Sequence, residues 1–176
     1  MFAAAQQLDP ALAATAKRLG EAFAAQDLQT LLIDYTRLFL GPVNPLAQPY
    51  ASFWLTGEKT LMQDTTVALL DLYGEGGFDI DESFEDLPDH VAAELEFLYL
   101  LNHRLHRATS VAAEEAADQA RVASLRQRFL SGHLGNWIGD FAQAVQAGAE
   151  TAFYRDLGAL TQAFVALELR SGATAH

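Results

Sequence analysis

Apolar positions recur along the chain at intervals of three and four, and no stretch alternates long enough to make a convincing strand. Asp9-Pro10 is a good helix start, and Leu12, Ala16, Leu19 and Phe23 follow on one face. Asp27 can cap a second helix whose stripe is Leu31, Tyr35, Leu38 and Phe39, stopped by Gly41-Pro42. Pro42, Pro45 and Pro49 impose an extended or turning loop as far as Tyr50. The cluster Tyr50, Phe53, Trp54 and Leu55 comes next, suited to plugging a core. Leu61, Thr65, Ala68, Leu69 and Leu72 form another helical pattern, ended by the glycine-rich run Gly74 to Gly77. Phe78 to Glu85 reads as an acidic, solvated connection.

The segment Leu87 to His106 predicts a central helix. Asp86 offers a capping oxygen and Pro88 suits the first turn. Val91, Leu95, Leu98 and Leu101 share an arc, while Phe97, Tyr99 and Leu100 spread apolar character around the cylinder. Glu94 falls inside the same arc. A carboxylate facing a core is costly unless paired, and His90, one turn earlier, is the nearest candidate partner. Further on, Ser110 can cap a helix running from Val111 through Phe129 to a break at Ser131-Gly132. His133 to Gln146 and Thr151 to Arg170 supply the last helices, with a frayed tail after Gly172. The pattern predicts an all-α, single-domain bundle of about seven helices over residues 1–176.

Composition supports a real core: 51% of residues are apolar and 19% charged. The net charge of −12 disfavours nucleic acid and favours basic partners. Without cysteine there can be no disulfide, thiolate metal site or cysteine nucleophile. The N-terminus has no basic residue before Lys17 and is not expected to be a secretory signal. FLYLL, at Phe97 to Leu101, is far too short to span a membrane. A soluble protein without stable membrane insertion is expected.

Chemical motifs are sparse. GEKT at Gly57 to Thr60 is only a fragment of a phosphate loop, and GxGxxG and GxSxG are missing. His103 and His106 share a helix face, yet Arg104 and Arg107 beside them argue against a metal. His133 can cap or satisfy a neighbouring loop. No nucleophile, base and oxyanion constellation emerges, so no catalytic residue, metal site or cofactor is expected.

Four segments, in this order, resemble the TorD/DmsD/NarJ family of maturation chaperones for molybdenum or tungsten oxidoreductases. They are YTRLFLGPVNPLAQPYASFWL (Tyr35 to Leu55), LMQDTTVALLDLY (Leu61 to Tyr73), LPDHVAAELEFLYLL (Leu87 to Leu101), and FLSGHLGNWIGDFAQAV with FYRDLGAL (Phe129 to Leu160). The combination of RLF-x-GP, a proline loop with aromatics, and PDH followed by EL is specific, although each motif alone is weak. The resemblance implies a TorD-type helical fold in a cytoplasmic, non-enzymatic chaperone. Its partners would be the twin-arginine signal peptide and the apo catalytic subunit of a molybdopterin oxidoreductase, held until cofactor insertion. It associates Tyr50, Trp54, Leu55, Asp89 and His90 with the peptide-binding surface. No motif supports guanine-nucleotide binding. Relatives usually carry about one further helix before the segment that begins near Leu8. The stripe Leu31, Tyr35 and Leu38 is therefore expected to be partly uncovered or covered by another chain, as in a homodimer.

Two competing readings stand beside this one. The first is a metal- or nucleotide-dependent hydrolase built around Asp89, His90 and Glu94; the second is a helical adaptor without a signal-peptide ligand. The client's substrate is not legible in the sequence.

Overall fold

Eight α-helices form among the described residues of the computed structural model: α1 Pro10–Ala25, α2 Leu28–Tyr35, α3 Ala51–Thr56, α4 Asp64–Gly76, α5 Val91–Arg107, α6 Ala113–Gly132, α7 Ile138–Gly148 and α8 Ala152–Ala173. A π-helical turn, Thr36–Leu40, extends α2, and a 3-10 turn, Leu134–Asn136, precedes α7. The structure describes residues 7, 9–41, 44–56, 64–80, 84–107 and 113–173, with backbone alone at 64, 113–115, 172 and 173. The all-α expectation holds. The additional helix is α3, formed by the aromatic cluster. The expected Ser110 cap, the Gly57-to-Thr60 fragment and Leu61 lie outside the described residues.

The chain clusters into two compact units, Met1–Pro49 with Ile138–His176, and Tyr50–Trp137. In the first, α8 packs along both α1 and α7. Asp9 caps α1 through the Ala11 N–H at 2.6 Å, and Asp27 caps α2 through the Thr30 N–H at 2.9 Å. The π-helical turn closes at Gly41, where φ is +58° and a Cβ would lie 2.6 Å from the Asn44 backbone. Only glycine meets both conditions cheaply. Gly158 lets α8 approach α7, since a Cβ there would sit 2.9 Å from the Ala142 carbonyl oxygen.

The expected α2 stripe divides. Leu31 and Leu38 are buried, whereas Tyr35 is 41% exposed. Beside it, Leu28 at 71% and Leu32 at 49% carry the exposure further around the helix. One acidic residue on α2, Asp34, is buried and reaches the start of α8. It accepts from the Thr151 N–H at 2.8 Å, the Thr151 hydroxyl at 2.7 Å and the Glu150 N–H at 3.1 Å. Burial alone would raise its pKa, but these bonds and Arg37 leave it below the usual carboxylate value.

The second unit is organised around α5, which packs on α6. Phe97 on α5 meets Tyr73 at 4.8 Å, Phe129 at 5.0 Å and Phe78 at 5.5 Å between ring centroids. Phe78 therefore anchors the acidic connection to the core rather than lying in solvent. Arg104 and Arg121 donate to the carbonyls of Gly76 and Glu75 at 2.6 and 2.9 Å, satisfying the C-terminal end of α4. Two boundaries move from their expected places. The α6 backbone runs through Ser131 to Gly132, and the break falls at His133, before the 3-10 turn. α5 begins at Val91, because Leu87 to Asp89 form a turn closed by the His90 N–H on the Leu87 carbonyl at 3.0 Å.

Candidate functional site

The proline loop ends where Tyr50 pairs with His90 as an isolated antiparallel bridge. The Ala51 N–H donates to the Asp89 carbonyl at 2.9 Å. The Asp89 side chain completes the junction: Oδ2 accepts from the Ser52 N–H at 2.9 Å. The first turn of α3 thus receives both acceptors from one residue of the turn before α5. Asp89 is only 1% exposed, and its Oδ1 has no hydrogen-bond partner among the described residues. It does not start its own helix and does not face solvent.

His90 caps α5 instead of Asp86. Its Nδ1 accepts from the Ala92 N–H at 3.1 Å, which requires the proton, when the ring is neutral, to sit on Nε2. Nε2 lies 3.9 Å from Asp86 Oδ2. The ring is half-buried between Tyr50 and Phe84, with centroids at 5.4 and 6.1 Å. Burial lowers its pKa, against the pull of Asp86 and Asp89, and so favours the neutral ring. Asp86 also accepts from the Tyr50 hydroxyl. The Tyr73 hydroxyl donates to the Pro88 carbonyl at 3.0 Å and pins the turn from below.

Glu94 is buried as the arc predicts, at 0% exposure, but His90 is not its partner. Its Oε1 lies 2.9 Å from His133 Nε2, and its Oε2 accepts from Trp137 Nε1–H at 3.0 Å. Burial pushes its pKa up, with both hydrogen bonds opposing. His133, expected to serve a loop, stacks on Phe129 and binds this carboxylate in the core. Asp89 and His90 thus serve the junction, holding α3 and capping α5, whereas Glu94 is bonded to His133 and Trp137. Among the described residues, no group of three or more His, Asp or Glu could hold a metal.

Of the five residues associated with peptide binding, Tyr50, Asp89 and His90 meet in this junction. Trp54 and Leu55 lie a turn further along α3, half-buried, with Trp54 edge-on to Phe53 at 5.2 Å. Ser52 and Tyr73 also join the junction, and nothing in the pattern of the sequence marks them for it. Their contributions are a backbone N–H and a hydroxyl-to-carbonyl bond, which leave no side-chain pattern in the sequence. Beside the junction, an open cleft of about 340 Å³ lies between α4 and the turn before α5, with Tyr73, Phe78, Asp79 and Asp86 in its lining. No described helix is long and apolar enough to cross a membrane.

Residues 5–143 match the family model described as nitrate reductase delta subunit. A protein of Vibrio parahaemolyticus named chaperone protein TorD is 28% identical over 165 residues, covering 93% of this chain and 74% of the relative. Proteins of the same name are 32% identical in Photobacterium profundum, over 78% of this chain and 62% of the relative, and in Salmonella arizonae, over 89% and 69%.

Proposed function

The chain belongs to the nitrate reductase delta subunit family, and from that premise we propose how it acts as a maturation chaperone of redox-enzyme subunits. It binds the twin-arginine signal peptide of a molybdenum or tungsten oxidoreductase catalytic subunit. It holds that apoprotein in the cytoplasm until the cofactor has been inserted. The observation carrying this reading is the junction that fastens the aromatic α3 to the Tyr50–Asp86–His90 cluster. A signal peptide offers a basic n-region and an apolar h-region. The junction offers the complement: an exposed carboxylate at Asp86 and partly exposed aromatic area at Tyr50 and Trp54. Binding without turnover also suits the way Asp89 and Glu94 are engaged within the fold.

The roles differ within the cluster. Tyr50, Trp54 and Leu55 supply apolar contact, and His90, kept neutral by burial, adds an edge of the same surface. Asp89 supports these residues from beneath by holding α3. Calorimetric titration with a synthetic peptide carrying two adjacent arginines and an apolar run of about ten residues tests the reading. Trp54→Ala is expected to weaken binding by on the order of 2 kcal/mol. Unaltered affinity in a folded Trp54→Ala variant would remove α3 from the site.

A further inference from the structure

The cleft beside the junction has two walls of different character. Tyr73, Phe78, Ile80 and Pro88 line it with largely apolar surface, while Asp79 and Asp86 bring carboxylates to it. Both acids are exposed, and no cation lines the cleft among the described residues. The nearby Arg104 is committed to the Gly76 carbonyl. Asp86 accepts from the Tyr50 hydroxyl through Oδ1, and His90 Nε2 stands 3.9 Å from its Oδ2. Gly74 also lines the space, and a Cβ added to it would meet nothing within 4 Å.

We propose that this cleft is the subsite for an arginine side chain of the bound peptide, with Asp79 and Asp86 as its carboxylate receptors. The proposal rests on the peptide-binding reading above and adds to it the residues that recognise the basic part. A guanidinium suits the cleft better than an ammonium. It is more weakly hydrated, so apolar walls cost it less, and its planar fork can donate towards two carboxylates at once. The apolar stem of arginine can lie along the Phe78 and Pro88 side. The Tyr73 hydroxyl donates to the Pro88 carbonyl, which fixes that ring as part of the cleft wall.

The test uses the full chain and fluorescently labelled versions of the same synthetic peptide, carrying Arg-Arg, Lys-Lys or Gln-Gln ahead of the apolar run. Arg-Arg is expected to bind tightest, Lys-Lys less tightly and Gln-Gln weakest. Asp79→Asn and Asp86→Asn should each weaken the Arg-Arg peptide by about two- to fivefold at low salt and less at high salt. Asp79→Asn should leave the Gln-Gln peptide unchanged. Gly74→Leu should weaken the Arg-Arg peptide by on the order of tenfold by filling the cleft. Its thermal melt should stay at or above wild type, because leucine favours the helix over glycine. If the Arg-Arg peptide binds Asp79→Asn and Gly74→Leu as tightly as wild type while Trp54→Ala weakens it, the cleft assignment is overturned and the peptide-binding reading stands. Equal affinity for Arg-Arg and Lys-Lys overturns the guanidinium preference. Failure of wild type to bind the Arg-Arg peptide overturns both readings.

Discussion

Asp89 shows how one buried carboxylate can matter to a binding surface without touching the ligand. Its side chain and carbonyl hold the N–H groups of Ser52 and Ala51, and these fix the start of the helix carrying Trp54 and Leu55. Asp89→Asn places an amide where one oxygen already has no partner among the described residues, and removes the charge from the other bond. A loss of about 1–2 kcal/mol in stability is expected, as for other helix-start acceptors. Peptide affinity should fall by the same factor at low and high salt, because the contact is internal. Calorimetry at two ionic strengths checks this, and a loss confined to low salt would instead mark Asp89 as a direct receptor. Glu94 is the second case. Glu94→Gln is expected to cost about 1–3 kcal/mol in urea unfolding. Glu94→Gln combined with His133→Ala should cost less than the two separate losses added together, since both act on one bond. Strict additivity would show that the two residues are independent. The helical arc made the burial of Glu94 legible in the sequence. Its partners were not, because His133 and Trp137 lie 39 and 43 residues further along the chain.

Among the elements, the longer helices were legible because periodicity and local caps agree: Asp9 and Asp27 act where the sequence places them. Element starts fixed by distant residues were not. α3 owes its first turn to Asp89, and the start of α8 owes its acceptor to Asp34 on α2, 117 residues before Thr151. Asp34→Ala should therefore lower stability by about 1–3 kcal/mol by orphaning the Thr151 and Glu150 N–H groups. The effect has a defined pH signature. The Asp34 pKa is lower in the folded chain than the ordinary value near 3.9, so the unfolded state binds the proton more readily. Its contribution is present above about pH 4 and is lost as pH falls through the folded-state pKa. Urea unfolding of wild type and Asp34→Ala across the acid range should show the gap narrowing below about pH 4. A constant gap would mean that packing, rather than the carboxylate, holds α8.

For the molecule as a whole, the net charge of −12 was legible from composition, but not where that charge is used. Asp34, Asp89 and Glu94 are buried and committed to internal bonds, whereas Asp79 and Asp86 remain exposed beside the junction. Exposed charge acts at range, and its reach shrinks with salt: the Debye length is about 10 Å at 0.1 M and about 3 Å at 1 M. A basic peptide should consequently be drawn to the chain by the summed field, and then held by apolar contact with α3. These two stages separate in the kinetics. Raising salt from about 0.02 to 0.3 M is expected to cut the association rate of the Arg-Arg peptide by on the order of tenfold, with little change in dissociation. Trp54→Ala should do the reverse, speeding dissociation while leaving association and its salt dependence near wild type. Stopped-flow fluorescence measures both rates directly. An association rate insensitive to salt would sink the steering argument, and an unchanged dissociation rate for Trp54→Ala would show that α3 does not retain the peptide.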